Sequence, residues 1–193
     1  MATARAAGKA RTRRRFLDAA ARLFAERGFH AVSIGDLGTA VGVSGPALYR
    51  HFASKEAILE EILVGTSEYL LQGLREILDV PHESDAELLR LFVEFHTEFA
   101  LTHREVIRVQ DRELGTLPEV ANRRVRMLQR QYLNLWVEVL SRLRPDVPIP
   151  HLGIVMHAVF GILNSPSHTT EVVPSDDVRA ILSAASLRVM TGG

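Results

Sequence analysis

Residues 43–59 read VSGPALYRHFASKEAIL. Gly45 and Pro46 are poor residues for a helix interior, yet they head a run of barely two turns, residues 47–52. Leu48 and Phe52 lie four apart, so they share the inward face. Tyr49, Arg50 and His51 sweep across the other side, a face for which a core helix has no use. Proline is tolerated in a first turn because the amides there lack intrahelical partners. Gly and Pro also leave little bulk at a helix start whose free amides and partial positive charge suit a phosphate.

Working upstream, Ser33 opens a short helix with Ile34, Leu37 and Val41 inward. Asp36 stands where it completes a capping box, and Gly42 stops the helix. Two short helices joined by a Gly-containing turn, the second presenting polar residues outward, read as a helix-turn-helix. Ahead of it, Phe16, Ala20, Leu23 and Phe24 form the stripe of an amphipathic helix that runs from a cap at Thr12 to Gly28. Residues 1–11, small and basic, are expected to be a flexible arm. Downstream, Ser54 caps a helix expected to reach about Leu78.

The rest of the chain keeps a helical period. Segments 84–102, 104–114, 118–144, 152–163 and a last one from Ser175 carry it, separated by prolines and polar turns. Segment 152–163, LGIVMHAVFGIL, is apolar nearly all round and is expected to be buried on most sides. Nothing reads as strand. The expectation is an all-α fold of about nine helices, in two parts beyond the arm: a helix-turn-helix unit at 12–57 and a helical regulatory and dimerisation unit at 58–193.

Composition narrows the function. The 193 residues are 47% hydrophobic, enough for a sizeable core. There is no cysteine, which removes disulfides, thiolate metal sites and cysteine nucleophiles. No apolar run is long enough to span a membrane and no secretory signal is present, so a cytoplasmic protein is expected. The formal net charge of zero hides a split. Residues 1–60 hold ten Lys/Arg against five Asp/Glu, and the remainder reverses that excess. One end is therefore suited to a polyanion. No Gly-rich phosphate loop, GxSxG or HExxH occurs, so an enzyme is the weaker reading.

Residues 12–63 resemble the DNA-binding domain of the TetR family of bacterial regulators. The resemblance rests on AARLFAERGF (20–29), on Ser33, Ile34 and Leu37, and on GVSGPALYRHFASKEAIL (42–59). It implies a dimeric transcriptional regulator, most simply a repressor of a pseudo-palindromic operator, released by a small molecule. It further implies that Tyr49, His51, Lys55 and Ser33 hold phosphates, while Ser44, Gly45, Pro46, Ala47 and Arg50 read bases. Arg50 suits either a guanine or a phosphate. The Arg11–Arg15 run is either a solvated helix start or a further DNA contact. Gly35 departs from the family pattern where a polar residue would face DNA, which leaves no base contact expected from the second helix, and Gly38 stands where Ala is usual, at a cost of roughly 1 kcal/mol in helix stability.

Two further expectations concern the second unit. Ala180, Ser183, Ala184 and Leu187 form a small-residue stripe that suits dimerisation or internal packing. Phe92, Phe95, Phe99, Ile107, Tyr132, Trp136, Met156 and Phe160, interleaved with His96, Gln110 and Asn164, are either plain core or the lining of an effector pocket. Beside Arg104, Arg108 and Arg112 such a slot would suit an acyl chain with an anionic head, as in an acyl-CoA. A metal cluster of His96, Glu98 and His103 is the lesser alternative, and no cofactor is expected. A helical adaptor for protein partners is the remaining rival; it has no need of the Tyr49–His51–Lys55 face.

Overall fold

A computed structural model of the chain describes residues 2–43, 48–169 and 175–192. Eight α-helices lie among them: α1 (Ala2–Arg27), α2 (Ile34–Val41), α3 (Lys55–Leu78), α4 (Asp85–Thr102), α5 (Arg104–Glu113), α6 (Glu119–Leu143), α7 (Ile149–Asn164) and α8 (Ser175–Thr191). Short 3-10 turns follow α5 at Leu114–Thr116 and α7 at Ser165–His168. The described residues contain no strand.

The local chemistry explains most boundaries. Ser33 and Asp36 make the reciprocal capping box: the Asp36 amide donates to Ser33 Oγ at 3.1 Å, and the Ser33 amide to Asp36 Oδ2 at 2.8 Å. The Ser33 hydroxyl and then the Ser33 amide, both donating to it, hold the Asp36 carboxyl below its usual range. Gly28 and Gly42 end α1 and α2 at φ +83° and +75°, a conformation that L side chains rarely adopt. Ser54 and Ser84 accept from the amides of Ala57 and Glu87, starting α3 and α4.

One boundary differs from the expectation. Helix α1 begins at Ala2, so residues 2–11 are helical rather than a flexible arm. Thr12 is no cap; its hydroxyl donates to the Gly8 carbonyl one turn back, as a mid-helix threonine does. The stretch lacks amphipathic periodicity but is rich in Ala, Arg and Lys, which favour a helix without help from packing.

One apolar core runs through the chain from Phe16 to Met190, with Phe24, Phe92 and Trp136 among its largest fully buried side chains. Burying each such side chain stabilises by about 1.5–3 kcal/mol. Helix α3 packs along α6, α4 and α7 pack on α8, and α1 lies against α5. The α1–α5 contact joins the N-terminal helices to the larger bundle. Helix α7 is less enclosed than its composition suggests. It buries Leu152, Met156, Val159 and Leu163 but leaves Ile154 69% exposed.

Candidate DNA-binding surface and ligand cavity

The expected third helix is described from Leu48 onward; Ser44, Gly45, Pro46 and Ala47 lie outside the described residues. Leu48 and Phe52 are buried, as their spacing requires. The turn is closed by the amides of His51 and Phe52, which both donate to the Leu48 carbonyl, at 2.8 and 3.1 Å. Tyr49 is 55% exposed and Arg50 is exposed beside it. His51 is half-buried, tilted against Phe16, with its Nδ1 enclosed and unpartnered. Ser33 is exposed, its hydroxyl donating to Asp36 Oδ2 at 2.6 Å.

Lys55 is placed otherwise than expected. Its ammonium donates to the carbonyls of Phe29 and Val32, both at 2.8 Å, and lies 4.3 Å from the centre of the Phe29 ring. It ties down the loop between α1 and α2 rather than standing free for a phosphate.

In the larger bundle, α3, α4, α5, α6 and α7 line a cavity of about 490 Å³ that opens to solvent. His96 forms its polar wall. Asn164 Oδ1 lies 3.0 Å from His96 Nε2, so that nitrogen carries the proton and donates. His96 Nδ1 then accepts from the Tyr132 hydroxyl at 2.8 Å. Phe160 stacks on both rings, 5.3 Å from His96 and 5.8 Å from Tyr132. Burial lowers the His96 pKa to about 4 and pushes the Tyr132 phenol upward, so the wall is neutral at physiological pH.

A pH dependence follows from that burial. Between pH 6.5 and 4 the unfolded chain protonates His96 while the folded chain does not, so stability falls as the pH falls. The loss from this group is roughly 3 kcal/mol across the window. His96→Gln keeps a donor and an acceptor without titrating. Denaturant melts at pH 4.5 and 7 are expected to differ less for the variant than for the wild type.

Of the eleven side chains expected to line a pocket, His96, Gln110, Tyr132, Phe160 and Asn164 line this one. Phe92, Trp136 and Met156 are fully buried core instead. Phe95 covers Gly73, where a Cβ would fall 2.1 Å from the ring, so that glycine is required by the contact. Phe99 and Ile107 belong to a separate small cluster with Ala100. The three arginines of α5 do not flank the cavity; its cationic lining is Arg126 and Arg130 of α6. Among the described residues no group of three His, Asp or Glu is placed to hold a metal ion. His103 instead stacks on Phe99 and shares a 2.8 Å hydrogen bond with Thr102. Among the described residues no helix is long and apolar enough to cross a membrane.

Residues 16–62 match the family model for bacterial regulatory proteins of the tetR family, and residues 82–168 match that for the tetracyclin repressor-like C-terminal domain. The HTH-type transcriptional repressor KstR2 of Mycobacterium tuberculosis is 31% identical over 154 residues, 75% of this chain and 76% of that protein. The chain belongs to the TetR family. It is a DNA-binding regulator of transcription. A TetR-family regulator from Bordetella parapertussis superposes with a TM-score of 0.83 at 26% identity, over 94% of each chain. AibR, solved with isovaleryl coenzyme A and operator DNA, shares the fold at 16% identity and a TM-score of 0.72, over 90% of this chain and 97% of its own.

In this TetR-family chain the joint between the two groups of helices is polar and specific. Arg112 Nη1 donates to the Ala25 carbonyl at 3.1 Å, at the end of α1. Glu113, buried to 7% exposure, accepts from the Phe29 amide at 3.1 Å and from the Thr116 hydroxyl at 3.3 Å. The spacing of charged residues in α5 gives no sign of the bonds to Ala25 and Phe29, because those partners lie 87 and 84 residues away in the chain.

The expected dimer stripe is only half outward. Ala180 and Ala184 are exposed, whereas Ser183 and Leu187 are half-buried and Leu187 packs on the core. Ile181 of α8, 63% exposed, lies outside the stripe, and Ile154 of the neighbouring α7 is exposed as well. A period read from one helix cannot tell the side that packs within the bundle from the side that does not.

Proposed function

We propose that the protein represses transcription as a dimer and is released from its operator by an acyl-type ligand carrying an anionic group, such as an acyl-CoA. The cavity is the observation that carries this reading. Its size falls in the range of small-molecule pockets. Its inner wall, His96 with Tyr132 and Asn164, is neutral and leaves the Asn164 amide N–H groups to donate to a carbonyl or thioester, while Arg126 and Arg130 supply the positive charge. AibR, of the same fold, was solved with an acyl-CoA bound, which supports the ligand class.

Dimerisation is assigned to the bare face of α7 and α8, Ile154 with Ala158 and Gly161 beside Ala180, Ile181 and Ala184. Small residues allow close approach and the two isoleucines supply apolar area. Ser33, Tyr49, Arg50 and His51, with residues 44–47, are the proposed DNA face, in a unit whose boundaries we set at residues 12–57. Lys55 supports that unit from behind.

The test is fluorescence anisotropy of an operator selected by the protein from random duplexes. Palmitoyl-CoA is expected to release the duplex from the wild type, and free coenzyme A is not. Arg126→Ala with Arg130→Ala is expected to weaken that release while leaving operator binding intact. Release by coenzyme A alone, or none by any acyl-CoA, would send the search to another ligand class. A protein that ignores all duplexes, and whose Tyr49→Ala and Arg50→Ala variants behave as the wild type, would be an adaptor.

A further inference from the structure

Arg13, in the basic run of α1, is the arginine of that run whose charge is turned inward. Its Nε donates to Glu61 Oε1 at 2.6 Å and its Nη2 to Glu61 Oε2, a two-pronged pairing with α3. Its Nη1 donates to the backbone carbonyl of His51, and its guanidinium carbon lies 4.2 Å from the centre of the Phe52 ring. Arg11, Arg14 and Arg15 are exposed.

We propose that Arg13 and Glu61 form a latch that fixes the end of the segment carrying Tyr49, Arg50 and His51 to helix α3, which makes Arg13 a positioning residue and not a phosphate contact. The geometry suits the task. A planar guanidinium matches a carboxylate with two parallel bonds, which fixes direction as well as distance. Its remaining donor meets a carbonyl at the end of a helical turn, where partial negative charge collects. The Phe52 ring is buried, so the latch grips the side chain that anchors the segment in the core as well as its backbone. Farther along α3, Ser67 and Leu70 line the ligand cavity. One helix therefore touches both the ligand space and, through Arg13, the DNA face.

The latch and a direct DNA contact predict opposite signs at Glu61. An acidic side chain near a polyanion repels it, so neutralising that side chain raises affinity unless the side chain is holding something in place. The inference rests on the DNA-binding reading only for its functional consequence, so its test has one readout without DNA. In the free protein, Glu61→Gln is expected to speed hydrogen exchange at the His51 and Phe52 amides roughly tenfold while α6 amides stay unchanged. On the selected operator, Glu61→Gln and Arg13→Lys are each expected to lower affinity roughly tenfold, and the pair together no more than either alone. The dependence of affinity on salt keeps its slope, because no phosphate contact is lost.

Unchanged exchange at His51 and Phe52, or tighter binding by Glu61→Gln, overturns the latch. So does a salt slope that drops by about one on Arg13→Ala, the mark of a lost phosphate contact. Faster exchange in a protein that binds no duplex upholds the latch and removes the DNA reading instead.

Discussion

Lys55→Ala is expected to lower the stability of the folded chain by about 2–3 kcal/mol while leaving the salt dependence of operator binding unchanged. The ammonium meets two carbonyls, those of Phe29 and Val32, and the Phe29 ring beneath them. A hydrogen bond to a charged group contributes about 1.5–3 kcal/mol. Both bonds are part-buried, so the sum stays near the value of one fully enclosed. In a chain of this length the loss lowers the melting temperature by roughly 5–10 °C. Circular dichroism melts measure it directly. A phosphate contact would give the reverse pattern, with an unmoved melt and a salt slope smaller by about one. That pattern would show the ammonium leaving the loop when DNA arrives.

The same residue shows where the sequence is legible. Its spacing after Tyr49 and His51 carries the family pattern, and the helix boundaries around it follow from Ser33, Gly42 and Ser54, whose capping chemistry is local. The direction in which the lysine turns is not local, since its partners lie 23 and 26 residues away. The ligand cavity behaves alike. His96, Tyr132 and Asn164 stand 36 and 68 residues apart and meet only after α4, α6 and α7 pack. Helical spacing marks each as inward-facing but cannot separate them from Phe92 or Trp136, which share that spacing and serve only the core. Polarity was the better guide. The interleaved His, Gln and Asn all reach the cavity, whereas only two of the eight aromatic and apolar positions do. The charges of α5 mislead for a related reason, since a cluster of three arginines suggests an anion site while the fold spends Arg112 on the end of α1.

Arg112→Ala combined with Glu113→Ala is expected to leave a repressor that binds its operator but no longer lets go. Both residues end α5, and Gln110 of the same helix lines the cavity. A ligand that shifts α5 therefore pulls on the Ala25 carbonyl and on the Phe29 amide together. Those two groups flank Gly28, whose left-handed conformation turns the chain into the loop that Lys55 also holds. A Cβ at Gly28 would meet Arg112 Nη2 at 3.1 Å, so the helices touch with little slack. Coupling between sites of about 1–3 kcal/mol changes affinity roughly 5–150-fold, and without the two bonds most of that has no carrier. Palmitoyl-CoA is then expected to bind the double variant and release little DNA. Glu113→Gln, which keeps an acceptor for the Phe29 amide, is expected to retain the response, so loss of charge alone is not the cause. Linkage adds an independent check. Operator DNA should weaken ligand binding to the wild type by the same factor by which ligand weakens operator binding, and both factors should shrink together in the double variant. A double variant that still releases its operator in full would place the coupling elsewhere, with α3 and its tie through Arg13 to the DNA face as the remaining route.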